Sequence, residues 1–291
     1  MNLRHIVVAT DESDAGREAV RAGLRLAARL TAHLTVMQVV PMPAAPDLAG
    51  LSLGTVPVEL DGDAVALERL QRWLDADVIP PGDRTPVDVS VAFGVPGIEI
   101  CRFAERQGAD LLILGRKLRS QMTRLLLGDT ADAVARRSRI PCLFVPPGSG
   151  ELRQVLVALD GSERGMTVLT AACGFVRGLG ASLRIVTVEY GPDGEPPDLG
   201  SRLPVTRSAQ LRGRVGAVLS RELEPLTGAR TAVEIRRGAI VPQILAEVEA
   251  SHPDVLVFGY HRGGPPGMIE GGSTARHLAH TAACAVLTIP L

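Results

Sequence analysis

Val7-Val8-Ala9-Thr10-Asp11-Glu12-Ser13 is a short run of strand-favouring residues that stops at an acid and a helix-capping serine. The pattern returns as Val155-Leu156-Val157-Ala158-Leu159-Asp160-Gly161-Ser162, with Asp160 standing 149 residues after Asp11. Further along, Gly94 is matched by Gly238, and Asp110-Leu-Leu-Ile-Leu-Gly115 by Asp254-Val-Leu-Val-Phe-Gly259. Gly128 is likewise matched by Gly272 and Pro146 by Pro290, and all four of these later pairs are 144 residues apart. The change of offset places one net deletion in the middle of the second copy. The chain is therefore a tandem duplication. The copies meet at Pro146-Pro147-Gly148-Ser149-Gly150, a turn-forming stretch that divides the chain into residues 1–147 and 151–291.

Within one copy the hydrophobic period alternates between two and 3.6. Ile6 to Ala9 and Thr35 to Val40 read as strands, and between them Val20, Leu24, Ala27 and Leu30 share one helical face. A loop rich in proline and glycine runs from Pro41 to Pro57. A helix carrying Val65, Leu67, Leu70, Trp73 and Leu74 follows, then a strand from Val87 to Val91. Ile98 to Gln107 is helical, Leu111 to Leu114 a wholly apolar strand, Thr130 to Arg137 helical and Cys142 to Val145 the last strand. Apolar strands alternating with helices predict a parallel sheet covered on both faces. Each copy is thus expected to be a doubly wound α/β domain.

Composition narrows the function classes. The 291 residues are 46% hydrophobic, 22% charged and 3% aromatic, enough for two buried cores. With 31 basic against 32 acidic residues the net charge is −1, so no global attraction to nucleic acid or acidic lipid is expected. No apolar run approaches the ~20 residues of a membrane helix, and Asp11 and Glu12 interrupt the start, so neither a span nor a signal peptide is expected. The scattered Cys101, Cys142, Cys173 and Cys284 show no paired spacing. They read as small core residues of a reduced cytoplasm rather than a disulfide framework or zinc site.

In doubly wound sheets ligands bind beyond the carboxyl ends of the strands. Asp11 and Asp160 follow the first strand of each copy, Gly115 and Gly259 the fourth, and Gly128 and Gly272 precede the last helix. Thr130 in one copy, and Ser273 and Thr274 in the other, begin that helix, where free amides favour an anion. Arg116, Lys117, Arg119 and Arg124 add positive charge to the first loop and would complete a phosphate cradle. A plainer reading has Asp11 and Ser13 capping a helix and the glycines permitting tight turns. The joint placement favours a ligand. Arg136, Arg137 and Arg139 complement a helix dipole and are assigned no function. Gly50-Leu-Ser52-Leu-Gly54 matches a hydrolase elbow but lies in a proline-rich loop, and His261, His277 and His280 lack an acidic partner for a metal. No Walker loop or dinucleotide glycine fingerprint occurs.

These residues make the chain resemble the universal stress protein family in its tandem form, over essentially its whole length. The resemblance implies a five-stranded parallel sheet in each domain. In nucleotide-binding members an adenine nucleotide is held by glycine, two residues, glycine, nine residues, glycine and a serine or threonine. In the first copy Gly115 and Gly128 fit, but Leu118 replaces the middle glycine and Asp129 the hydroxyl residue. In the second Gly259, Gly272 and Ser273 fit, with Arg262 at the middle position and Gly263 one place late. A leucine side chain at position 118 would crowd a phosphate. Asp129 would cap the helix amides and pair with Arg116 or Arg124, filling the anion site from within. Arg262 can itself bind phosphate.

The second copy is therefore the expected nucleotide site, with Asp160 toward the ribose, Val188 beside the base and Gly272-Ser273 on the phosphates. Asp11 and Val39 would take the first two roles in the first copy. The resemblance further implies ATP, with Mg as its companion, a stress-response or regulatory role, pairing of the copies through their last strands, and a homodimer. The competing functions are a scaffold of the same fold without nucleotide and, last because no positioned general base stands out, a slow ATPase.

Overall fold

The computed structural model describes residues 1–41, 62–118, 125–126, 128–189, 205–223, 231–261 and 273–291. Arg262, Gly272, Gly263, Arg119, Arg124 and the Gly50–Gly54 pattern lie outside the described residues, as does the side chain of Leu118.

The first half runs β1 (His5–Thr10), α1 (Asp14–Leu30), β2 (His33–Pro41), α2 (Gly62–Trp73), β3 (Val87–Gly94), α3 (Pro96–Arg106) and β4 (Leu111–Gly115). A two-stranded hairpin, β5 (Lys117–Leu118) with β6 (Leu125–Leu126), follows, then α4 (Asp129–Arg137) and β7 (Cys142–Val145). The second half repeats the scheme as β8 (Gln154–Leu159), α5 (Glu163–Leu179), β9 (Ser182–Glu189), α6 (Val205–Leu223) and β10 (Ala232–Arg237). It closes with α7 (Ile240–Ser251), β11 (Val255–Tyr260), α8 (Ser273–Thr281) and β12 (Ala285–Pro290). The hairpin is new relative to the sequence reading: a two-residue strand is too short to show a period.

Strand alternation sets the layers. Ile6 and Val8 pack with α1, α2, α5 and α6, whereas Val7 and Ala9 pack with α3, α4, α7 and α8, because successive residues face opposite sides of the pleat. The strands are buried on both faces, hence their apolar runs. In each half the first strand lies central, giving β7-β4-β1-β2-β3 and β12-β11-β8-β9-β10, all parallel within a half. Strand order reverses beside β1 and β8. The crevice for a ligand is thereby set beyond Thr10 and Leu159.

The halves join into one ten-stranded sheet through an antiparallel pair, with Val286 opposite Phe144, Leu287 opposite Leu143 and Thr288 opposite Cys142. Leu143 and Leu287 are fully buried there, and each contributes about 1.5–3 kcal/mol over an exposed leucine. Each terminal strand thus covers the edge that the other would expose. The same pairing uses up that edge, so a homodimer would need another surface. Because the junction is antiparallel, the carboxyl edges of the two halves point to opposite ends of the molecule. Among the described residues no helix is long and apolar enough to cross a membrane.

Candidate ligand sites at the two carboxyl edges

The turn after the first strand is built alike in both halves. Ser13 is the N-cap of α1, and its hydroxyl accepts from the Gly16 amide at 3.2 Å. The Asp11 carboxylate accepts from the Ser13 amide at 3.2 Å and from the Ser13 hydroxyl. In the second half Asp160 accepts from the Ser162 amide at 2.9 Å and hydroxyl at 2.7 Å, and Ser162 caps α5 by accepting from the Gly165 amide at 3.0 Å. Glycine is required beneath each carboxylate: a Cβ at Gly165 would come within 2.6 Å of Asp160 Oδ1. The capping role read from sequence is real, but it engages only one oxygen of each aspartate.

The second oxygen separates the halves. Asp11 Oδ2 lies 2.9 Å from Lys117 Nζ, whereas Asp160 makes no ion pair among the described residues. His261, 144 residues after Lys117, instead meets Arg164, Nδ1 to Nη1, at 3.3 Å. Partial burial raises the Asp11 carboxyl, but the Ser13 bonds and Lys117 outweigh it and hold the group below the usual carboxylate range.

The glycines expected just after the fourth strand lie within it, Gly115 as the last residue of β4 and Gly259 as the last but one of β11, and both serve packing. A Cβ at Gly115 would sit 2.1 Å from the Ala15 carbonyl oxygen, so α1 can cross only over glycine. At Gly259 the obstacles are Leu291 and Val168 side chains, at 2.4 and 3.0 Å. Gly128 differs, since a Cβ there meets nothing. It is the N-cap of α4 and supplies no side-chain bond to the first amides of that helix. Thr130 is exposed in that first turn, and Ser273 and Thr274 open α8.

Two expectations fail here. Asp129 is exposed, and among the described residues it caps nothing and does not meet Arg116, while Arg124 lies outside them. Arg116 is not part of a cradle. It is fully buried, reaches across β7 and donates from Nη1 to the Cys284 carbonyl at 2.8 Å, and burial lowers its pKa to about 10. Arg116 stands one residue past β4 with its amide donating to the Val145 carbonyl at 2.8 Å, and that hold on β7 directs its side chain to the second half.

Val39 and Val188 are half-buried at the carboxyl ends of β2 and β9. Their lateral neighbours differ: Val39 pairs with Ala92, but Val188 pairs with Arg236. Arg236 is held by buried Glu247, Nε at 3.0 Å and Nη2 at 2.5 Å, and Arg184 reaches the same carboxylate at 3.2 Å. Sequence reasoning missed this triad. The 144-residue offset places Arg236 on Ala92 and Glu247 on Phe103, and that contrast was the available signal.

Clefts of about 440 and 420 Å³ flank the connection between the halves, bordered by Pro146, Ser149, His252 and Cys284 on one side and by Arg25, Arg29 and Glu151 on the other. They border neither Asp11 nor Asp160.

The chain is a doubly wound α/β unit, repeated, with an aspartate held in the capping turn after the first strand of each half. The universal stress protein family matches residues 2–146 and again residues 151–290, and the chain belongs to that family. A universal stress protein of Methanocaldococcus jannaschii is 27% identical over 145 residues, covering 49% of this chain and 81% of that one. A universal stress protein structure from Archaeoglobus fulgidus superimposes with a TM-score of 0.71 at 19% identity, covering 100% of this chain and 99% of that one. A functionally unknown protein from Pseudomonas aeruginosa does so with a TM-score of 0.67 at 16% identity, over 99% and 92% of the two chains. At these identities the structural likeness speaks for the fold.

Proposed function

We propose that this chain is a cytoplasmic stress-response or regulatory protein that binds an adenine nucleotide, ATP foremost, and binds it better in the second half. The observation that carries the preference is the second aspartate oxygen, paired with Lys117 in the first half and unpaired among the described residues at Asp160. A carboxylate already held by two hydrogen bonds is preorganised to accept from vicinal hydroxyls of a ribose. The amides at the start of α8, beside Ser273 and Thr274, suit the phosphates, and the apolar flank of Val188 suits the base. Among the described residues no three His, Cys, Asp or Glu side chains converge on a metal position. Mg²⁺ would arrive with the phosphates, as is usual for that ion. Binding rather than turnover is the proposed activity.

The test is calorimetric titration of the protein with ATP, alongside extraction of nucleotide from denatured, gently purified protein. Asp160→Ala is expected to lower affinity by tenfold or more, and Asp11→Ala to change it by less than threefold. Absence of both copurified nucleotide and titratable binding would replace this reading with a scaffold of the same fold. Phosphate release above buffer background would replace binding alone with ATPase activity.

A further inference from the structure

Where α4 and α8 face each other across the junction of the halves, Asp132 is the buried centre of a charge cluster. Its side chain is only 11% exposed. From α8, Arg276 approaches with Nε at 3.3 Å and Nη2 at 3.5 Å, and His280 with Nε2 at 3.5 Å. From its own helix Arg136 adds a contact at 3.3 Å.

The positions carry the argument. Asp132 and Arg276 are 144 residues apart, as are Arg136 and His280, so in the duplicated unit each pair is the same position. Residues that touch their own equivalents lie next to the pseudo-twofold axis. In a pair of identical halves such a position meets itself. Two second halves would set Arg276 against Arg276 with no acid of the cluster between them, whereas two first halves would set Asp132 against Asp132 with an Arg136 from each beside them. The second half thus depends on the first for its counter-charge.

We propose that the α4–α8 contact is a recognition surface whose partner is a half of complementary sign, so that the second half of this chain accepts the first and rejects a second copy of itself. The β7–β12 pair cannot supply that choice. Its opposed residues are mostly apolar, and backbone hydrogen bonds carry no sign, so strand pairing alone would serve like halves equally.

The test uses full-length protein. Asp132→Arg and Arg276→Asp are each expected to lower the melting temperature by about 5 °C and to shift the native mass spectrum toward self-associated species. Both substitutions in one chain are expected to recover most of each loss. Refolding the two singly substituted chains together gives a sharper readout, since the first half of each now complements the second half of the other. Mixed dimers are expected to exceed the statistical share. Wild-type-like melts of the single variants, a double variant that loses the sum of both, or mixed dimers at the statistical share would overturn the proposal. Should a reversed variant not fold, Asp132→Asn, Arg276→Gln and their combination give the same decision: coupling in the double variant supports pairing, and simple additivity overturns it.

Discussion

At the residue scale the two halves answer the same geometric problem with different side chains. The C-cap of α1 is Thr31 in the left-handed region, φ 52°, and the matching position in α5 is Gly180, φ 55°. A β-branched residue is strained there and glycine is not. Thr31→Gly is expected to stabilise the protein by about 0.5–1 kcal/mol, raising the melting temperature by roughly 1–3 °C, as read by calorimetry. Glu12 is also left-handed, φ 58°, opposite Gly161, but its carboxylate accepts from Gln38 at 2.8 Å and from Arg69 at 3.1 Å, which offsets the strain. Lys117 is the residue that most changes the first ligand edge. An exposed ion pair is worth about 0–1 kcal/mol, so Lys117→Ala is expected to raise ATP affinity in the first half by up to about fivefold, measured by titration of protein already carrying Asp160→Ala. A loss of affinity would instead make Lys117 a phosphate ligand.

At the element scale the instructive difference lies between α7 and α3. Glu247 on α7 is buried between Arg184 of β9 and Arg236 of β10, while the corresponding positions of the first half are Phe103, Thr35 and Ala92. Both arrangements close the same helix onto the same pair of strands. Removing one partner from a buried ion network leaves charge unpaired and costs about 3–5 kcal/mol, whereas an apolar replacement of the whole network is often neutral. Glu247→Ala is therefore expected to destabilise strongly in chemical denaturation. The combination Arg184→Thr, Arg236→Ala and Glu247→Phe is expected to recover most of that loss. Failure of the combination would mean the triad does more than fill space, most simply by shaping the edge beside Val188.

Across the whole molecule the halves share two hydrophobic layers, one on each face of the sheet. The cluster that contains Ile6, Val20 and Leu70 of the first half also contains Val155, Leu169 and Ile185 of the second. The α1–α5 contact is close, since a Cβ at Gly178 would lie 2.9 Å from Leu30, and α1 is tied to the connection by Arg25 donating to the Ser149 carbonyl at 2.9 Å. The halves are expected to unfold together. Trp73 is the only tryptophan and sits in the first half, so its fluorescence reports that half while far-ultraviolet circular dichroism reports both. Coincident denaturation curves from the two probes are the expected result, and a tryptophan transition that clearly precedes the other would show independent halves. The two ligand edges, at opposite ends of the sheet, share no side chain among the described residues.

Repetition, period and turn chemistry were legible from residue order alone. The duplicated Asp-x-Ser turn, the apolar strands and the glycine after the fourth strand each impose a local requirement, namely a cap, a doubly covered sheet and a close helix crossing, and local requirements leave local patterns. The positions of Asp11, Asp160 and Gly128 at the carboxyl edges followed from that order, whereas Val39 and Val188 were pointed to by the family resemblance. The partners did not. Lys117 reaching Asp11, Arg116 crossing to Cys284, Asp132 meeting Arg276 and Glu247 holding two arginines are contacts between residues from 11 to 168 positions apart. Which of many basic residues meets which acid depends on strand order, on the antiparallel junction and on the face each side chain takes. Those are settled only when the two halves pack on a common core.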